Sequence, residues 1–176
     1  MADRTETGSL SFSRRPAGAG FRLEASLWLP ADRDTVFDFF SDAHQLEILT
    51  PPWLHFCVLT PRPIDMHAGL LIDYRLRLHG VPLRWQSKID AWDPPHRFVD
   101  MQLRGPYRLW RHEHRFVKQD GGTLCQDVVD YDVPGGSLVE RFLVRPDLAK
   151  IFAFRRQKME QLFAGNSATP APVGSS

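Results

Sequence analysis

Between Trp110 and Val133 the chain alternates so strictly that few folds can accommodate it. Trp110, His112, His114 and Phe116 alternate with Arg111, Glu113 and Arg115, so an extended strand turns two imidazoles and two aromatic rings to one face and charge to the other. Cys125, Asp127, Val129, Tyr131 and Val133 repeat the pattern after Asp120-Gly121, a turn signal that returns the second strand antiparallel to the first. Pairing Gln119 with Gly122 places Asp127 opposite His114 and Tyr131 opposite Trp110. On the outer face the same register sets Asp130 beside Arg111, a favourable cross-strand charge pair. The inner face gathers its polar groups in one place among aromatic rings, as the wall of a cavity would.

Period two recurs elsewhere. Phe21, Leu23, Ala25, Leu27 and Leu29 alternate with Arg22, Glu24 and Ser26, a half-buried first strand that Pro30 closes. Asp32 or Asp34 can cap a short helix with Val36, Phe37 and Phe40 on one face. A second short helix, around His44 to Leu49, ends at Thr50-Pro51-Pro52, because the residue before a proline avoids helical angles. From Leu54 onward, turn signals at Pro61–Pro63, His79–Pro82, Asp93–Pro95, Gly105-Pro106 and Asp120–Gly122 divide the chain into six further antiparallel strands. With Gly80-Val81 as the turn, Ile72, Tyr74, Leu76 and Leu78 face Ile89, Ser87, Trp85 and Leu83, while Asp73 faces Lys88. In the strand after that, Val99, Met101 and Leu103 are expected inside and Asp100, Gln102 and Arg104 outside.

A sheet with one apolar face needs a cover. Pro146 can open a helix about 25 Å long, in which Leu148, Ile151, Phe152, Arg155, Met159, Leu162 and Phe163 recur at helical spacing. The expected fold is α+β and helix-grip: a curved seven-stranded antiparallel sheet wrapped around the long C-terminal helix, with two short helices after strand one. Such an interior can be hollow.

Length and composition bound the rest. At 176 residues and 43% hydrophobic content, one domain is expected over 21–163, flanked by disordered tails at 1–20 and 164–176. Twenty-two basic residues against 21 acidic ones, without a basic block, argue against nucleic acid or anionic membrane as partner and for a neutral or weakly charged ligand. No apolar run nears the roughly 20 residues that span a bilayer, and the polar N-terminus lacks the apolar core of a signal peptide. The expectation is a cytoplasmic protein. Cys57 and Cys125 have neither zinc-ligand nor redox spacing and are read as small hydrophobes.

The order of strand, two short helices, six strands and final helix resembles the START-like superfamily, also called SRPBCC, over residues 21–163. More specifically, Gly80-Val81-Pro82-Leu83-Arg84-Trp85, Trp92-Asp93-Pro94-Pro95, Phe98, Gly105-Pro106-Tyr107, Trp110 to Phe116 and Asp127 to Pro134 resemble the bacterial ligand-binding polyketide cyclase/dehydrase-like group. The resemblance implies a deep, largely apolar cavity between sheet and helix that holds a hydrophobic small molecule, usually without metal or organic cofactor. It does not imply one reaction, since the same fold serves transport, sensing and catalysis.

The candidate ligand-binding residues are Tyr74, Trp85, Trp110, His112, His114, Asp127 and Tyr131. Their rings combine an apolar body with a polar tip, which suits a wall that must also orient a ligand. For each ring alone, ordinary core packing competes. The buried His–Asp pair has three readings: a structural hydrogen-bond unit, a polar contact for the ligand, or an acid–base pair in which His114 and Asp127 act. His112-x-His114 also has zinc-like spacing with Asp127 as third ligand, but no second histidine pair is present and no metal or cofactor is expected. Arg75, Arg77 and Arg84 fall on the outer face. Arg155 lies near the helix seam, where it can reach the cavity mouth or form a salt bridge. Pro51-Pro52-Trp53 is either a lip over the cavity or a rigid turn. The leading function is binding of a hydrophobic or aromatic small molecule without turnover. The alternative is an aromatic polyketide cyclase/dehydratase with His114 as acid/base. A third possibility is a protein-interaction module, although nothing in the sequence names its partner.

Overall fold

The computed structural model describes residues 8–166. Eight strands form one antiparallel sheet in the order β1-β2-β8-β7-β6-β5-β4-β3. They are β1 (Gly8–Arg14), β2 (Phe21–Leu29), β3 (Cys57–Val58), β4 (Leu71–Leu78), β5 (Val81–Asp93), β6 (Arg97–Arg104), β7 (Leu109–Gln119) and β8 (Gly122–Asp132). Helices α1 (Arg33–Ser41) and α2 (Gln45–Leu49) follow β2. After β8 a short α3 (Gly136–Val139) runs through a π-helical stretch, Glu140–Val144, into the long α4 (Arg145–Phe163). This is the expected helix-grip architecture with one strand more than the seven anticipated. None of the described helices is long and apolar enough to cross a membrane.

The extra strand corrects the reading of 1–20 as a disordered tail. Gly8–Arg14 pairs along the free edge of β2, with Leu10 opposite Ala25 and Phe12 opposite Leu23, and Phe12 packs against the buried group around Leu23 and Val129. Leu10 and Phe12 alternate with Ser9, Ser11 and Ser13, but two apolar residues in a Ser-rich stretch are a weak strand signal. Residues 1–7 and 167–176, which hold the rest of the two expected tails, lie outside the described residues.

Two turns set the register around the cavity. At Asp120-Gly121 both residues take positive φ (50° and 75°), the two-residue turn whose twist matches the flanking strands. The pairings follow as the sequence suggests: Gln119 with Gly122, His114 with Asp127, Trp110 with Tyr131. At the β4–β5 turn the central residues are His79 (φ 50°) and Gly80 (φ 82°), not Gly80-Val81. A β-branched valine is a poor host for positive φ, whereas histidine tolerates it. The pairing therefore slips by two residues, which keeps every side chain on its expected face. Asp73 consequently meets Gln86 rather than Lys88, and Gln86 Nε2 donates to Asp73 Oδ1 at 3.0 Å.

β6 is turned over relative to expectation. Phe98 pairs with His114 and Asp100 with His112, and directly paired residues share a face, so Phe98 and Asp100 point to the cavity with the imidazoles. Apolar residues occupy both phases of this strand, so hydrophobic alternation had no unique solution. On the outer face Asp130 does not hold Arg111. It accepts two hydrogen bonds from Arg22, at 2.7 and 2.9 Å, while Arg111 donates to Glu113, which also receives Arg115.

The buried apolar residues form three groups rather than one. Phe37, Phe40, Phe98, Phe116, Met159 and Phe163 join α1 to the C-terminal half of α4. Phe21, Leu23, Val129, Tyr131, Leu148 and Phe152 join β2 and β8 to its first half. Val58, Ile72, Tyr74 and Ile89 form the third group under β3–β5. The space left where these groups meet is the cavity.

Candidate functional site

The cavity has a volume of about 210 Å³ and lies between α4, the two short helices and strands β4–β7. Its wall is mostly apolar: Phe40, Leu46, Leu54, Ile72, Leu76, Ile89, Phe98, Leu148, Ile151 and Phe152 contribute. Of the residues singled out from sequence, Tyr74, Trp85, Trp110, His112 and His114 line it. Trp85 stands edge-on to Trp110, centroids 5.4 Å apart, and its indole N–H is satisfied by Ser87 Oγ at 2.9 Å. The Pro52–Leu54 turn sends Leu54 to the cavity and Trp53 outward against Phe154 of α4, so Trp53 is a packed exterior ring rather than a cavity wall.

Two predicted wall residues stand elsewhere. Tyr131 is fully buried, and its hydroxyl donates to Glu140 Oε1 at 2.9 Å. Glu140 in turn receives the fork of Arg145 at 2.8 and 2.9 Å. Tyr131 thus ties β8 to the π-helical stretch. Asp127 lies behind the imidazoles and faces a second, smaller chamber of about 140 Å³ between α4 and β1, β2 and β8.

The polar network starts from Asp127. Its Oδ1 accepts a hydrogen bond from His112 Nε2 at 2.8 Å and lies 2.8 Å from His114 Nδ1. On the cavity side, His114 Nε2 lies 3.2 Å from Asp100 Oδ2. The two imidazoles stand with centroids 3.7 Å apart, and Phe98 stacks on His114 at 4.2 Å. From α4, Arg155 brings Nη2 to 4.0 Å from Asp127 Oδ1 and lays its guanidinium over the Phe40 ring at 5.3 Å.

These contacts fix different protonation states in the two histidines. Burial and the neighbouring His114 charge lower the His112 pKa below its ordinary value. Burial also opposes charge on His114, but its contacts with Asp100 and Asp127 outweigh it and raise the pKa. For Asp127, burial is overcome by Arg155 and the two imidazole donors, which hold the carboxyl well below the usual carboxylate range. The hydrogen-bond network therefore assigns a neutral His112, protonated on Nε2, beside a His114 imidazolium that faces both carboxylates. The charges of Asp100, Asp127, His114 and Arg155 cancel, as buried charge requires. His112 Nδ1 keeps a lone pair, and its nearest carboxylate oxygen, on Asp100, is 4.0 Å away.

Asp100, His112 and His114 also present donor atoms within 4.8 Å of one another. Within this set the third donor is thus Asp100 rather than Asp127, and a cation bound there would compete with the His114 proton that faces Asp100. Sequence reasoning missed Asp100 because its strand was phased by hydrophobicity. It also passed over Tyr107, which lines the cavity beside Trp110, centroids 4.7 Å apart. The hydroxyls of Tyr74 and Tyr107 donate to no side-chain or backbone acceptor among the described residues, and burial raises both pKa values. Cys57 and Cys125 are free thiols.

A curved antiparallel sheet gripping a C-terminal helix, with a mostly apolar cavity and one polar cluster between them, defines a START-like, SRPBCC-type protein. The chain belongs to the family described as polyketide cyclase / dehydrase and lipid transport, whose model matches residues 29–159. Solved structures agree on the fold. A START superfamily protein from Mycobacterium smegmatis is 16% identical, with 80% of this chain and 98% of that one covered and a TM-score of 0.60. Protein Ms6760 from the same organism is 18% identical (82% and 91% covered, TM-score 0.62). TTHA0849 from Thermus thermophilus is also 18% identical (84% and 99% covered, TM-score 0.62). No curated protein sequence matches the chain.

Proposed function

We propose that the protein binds a hydrophobic or aromatic small molecule in the cavity under α4, without turnover. The observation that carries this reading is the cavity of about 210 Å³, walled by aliphatic and aromatic side chains and bordered by a single polar cluster. Apolar burial supplies most of the affinity, at about 25 cal/mol per Å². Polar groups orient one end of the guest: His112 Nδ1 accepts a hydrogen bond, and the hydroxyls of Tyr74 and Tyr107 donate. Native mass spectrometry of freshly purified protein tests this directly. A retained small hydrophobe in the wild type that is absent from Ile151→Trp supports it, because that substitution fills the cavity from the helix side. A mass equal to the bare chain in both, with no binding on adding aromatic probes, counts against it.

Cyclisation or dehydration of a polyketide is the second reading, favoured by the family and by an imidazole on the cavity wall. The base in that chemistry is His112 rather than His114. Burial lowers the pKa of His112, whose Nδ1 keeps a free lone pair, whereas the two carboxylates beside His114 raise its pKa and favour its cation. Ring-closed product from poly-β-keto substrates, lost in His112→Ala, identifies the enzyme.

A further inference from the structure

Arg155 is nine-tenths buried, yet no nitrogen of its guanidinium has a hydrogen-bond partner among the described residues, and Nε and Nη2 are sealed from solvent. Its nearest acid, Asp127, is 4.0 Å from Nη2, beyond hydrogen-bonding distance, and already receives His112. A buried donor left empty costs about 1–3 kcal/mol, more for a charged group, so such a guanidinium calls for an acceptor. Arg155 and Phe152 line both the main cavity and the smaller chamber behind it. The guanidinium therefore stands at the boundary of two spaces, and no hydrogen bond fixes its present orientation.

We infer that Arg155 is the anchor for an acidic oxygen head on the cavity's guest, a carboxylic acid or an enol of comparable acidity, whose apolar body lies along the main cavity. This rests on the ligand-binding reading above and names the guest's class. A planar guanidinium takes a carboxylate through two parallel hydrogen bonds. The charge also closes. The guest enters as the neutral acid, its O–H bond breaks, and the proton passes to His112 Nδ1, leaving the oxyanion to Arg155. The groups facing His112 are Asp127 from β8, Asp100 from β6, His114 from β7 and, from α4, the Phe152 ring, with Arg155, also of α4, 4.0 Å from the Asp127 oxygen that His112 also meets. The added imidazolium and the added oxyanion cancel, so the cluster stays neutral when loaded.

Calorimetric titration with octanoic acid and octan-1-ol, equal in chain length, tests this on the full chain. The wild type is expected to bind the acid about 10- to 100-fold more tightly than the alcohol. It should take up one proton per octanoate bound, seen as a dependence of heat on the buffer's ionisation enthalpy. Arg155→Met should abolish the preference while leaving octanol affinity within about twofold, and Arg155→Lys, which keeps the charge, should retain part of it. Equal affinities for both probes in the wild type, or the same loss for both probes in Arg155→Met and Arg155→Lys, overturn the anchor while leaving the cavity intact. Failure of both probes to bind the wild type overturns the cavity reading itself.

Discussion

The rings of His112 and His114 lie 3.7 Å apart, centroid to centroid, yet the two carry different charges. His112 has one good acceptor, Asp127, and one open nitrogen, whereas His114 is caught between Asp127 and Asp100. With no anionic guest to offset the charge, two adjacent imidazolium ions would repel each other in a buried site, so one proton is held and the other excluded. That asymmetry makes His112 the reader of the ligand and His114 a structural cation.

Nitrogen-15 NMR of the imidazoles should show this difference. At about pH 6.5, where an unperturbed imidazole is half protonated, His114 is expected to carry protons mainly on both nitrogens and His112 mainly on Nε2 alone. The reverse assignment would return the acid/base role to His114.

Stability should follow the same shifts. His114 holds its proton more tightly in the folded chain than in the unfolded one, so its contribution is full below about pH 6.5 and is lost as pH rises through the folded value. Asp127 acts at the other end. Its lowered carboxyl contributes above the unfolded value of about 3.9 and is lost as pH falls through the folded one. His112, held neutral, costs stability as pH drops below about 6.5. Urea denaturation should therefore show an alkaline decline in the wild type that His114→Gln lacks, about 1.4 kcal/mol for each tenfold change in proton affinity. An identical decline in both proteins would mean that His114 is not the titrating group.

Asp127→Asn leaves the His114 and Arg155 cations with Asp100 as their remaining counter-charge. Losing one partner of a buried charge network costs about 3–5 kcal/mol, so the melting temperature should fall steeply. His112→Ala removes one neutral donor to Asp127 and leaves its charged partners in place, so it should cost less, about 1–3 kcal/mol, and weaken binding of a hydroxylated guest about tenfold, the loss of one hydrogen bond. Differential scanning calorimetry beside a binding titration separates the two effects.

Tyr131→Phe removes the hydroxyl that donates to Glu140, an acceptor still held by Arg145. A loss of about 1–2 kcal/mol with unchanged ligand affinity is expected. Altered affinity would put Tyr131 back on the cavity wall.

Much of this is legible in the sequence itself. The β7–β8 hairpin could be read residue by residue, since Asp120-Gly121 fixes the turn and the turn fixes the register. The helix seam at Leu148, Phe152, Arg155, Met159 and Phe163 was equally plain, although Leu162 proves exposed. What failed was phase wherever apolar residues occupy both faces. In β6 this concealed Asp100, the carboxylate that decides which histidine is charged. β1 was hidden for a different reason: an edge strand needs few hydrophobes, because pairing with β2 supplies its backbone partners. The separation of Asp127 and Tyr131 from the cavity could not be read either. It depends on where α4 lies across the sheet, which strand pairing does not determine.

The central claim, an apolar cavity under α4 that receives a guest with His112 accepting from its polar end, is tested most directly by titrating 1-naphthol into the wild type, Leu76→Trp and His112→Ala. The account predicts saturable one-to-one binding in the wild type, a loss of about tenfold in His112→Ala and abolition in the folded Leu76→Trp protein. Naphthol binding that survives Leu76→Trp unchanged, or no saturable binding to the wild type, would contradict it.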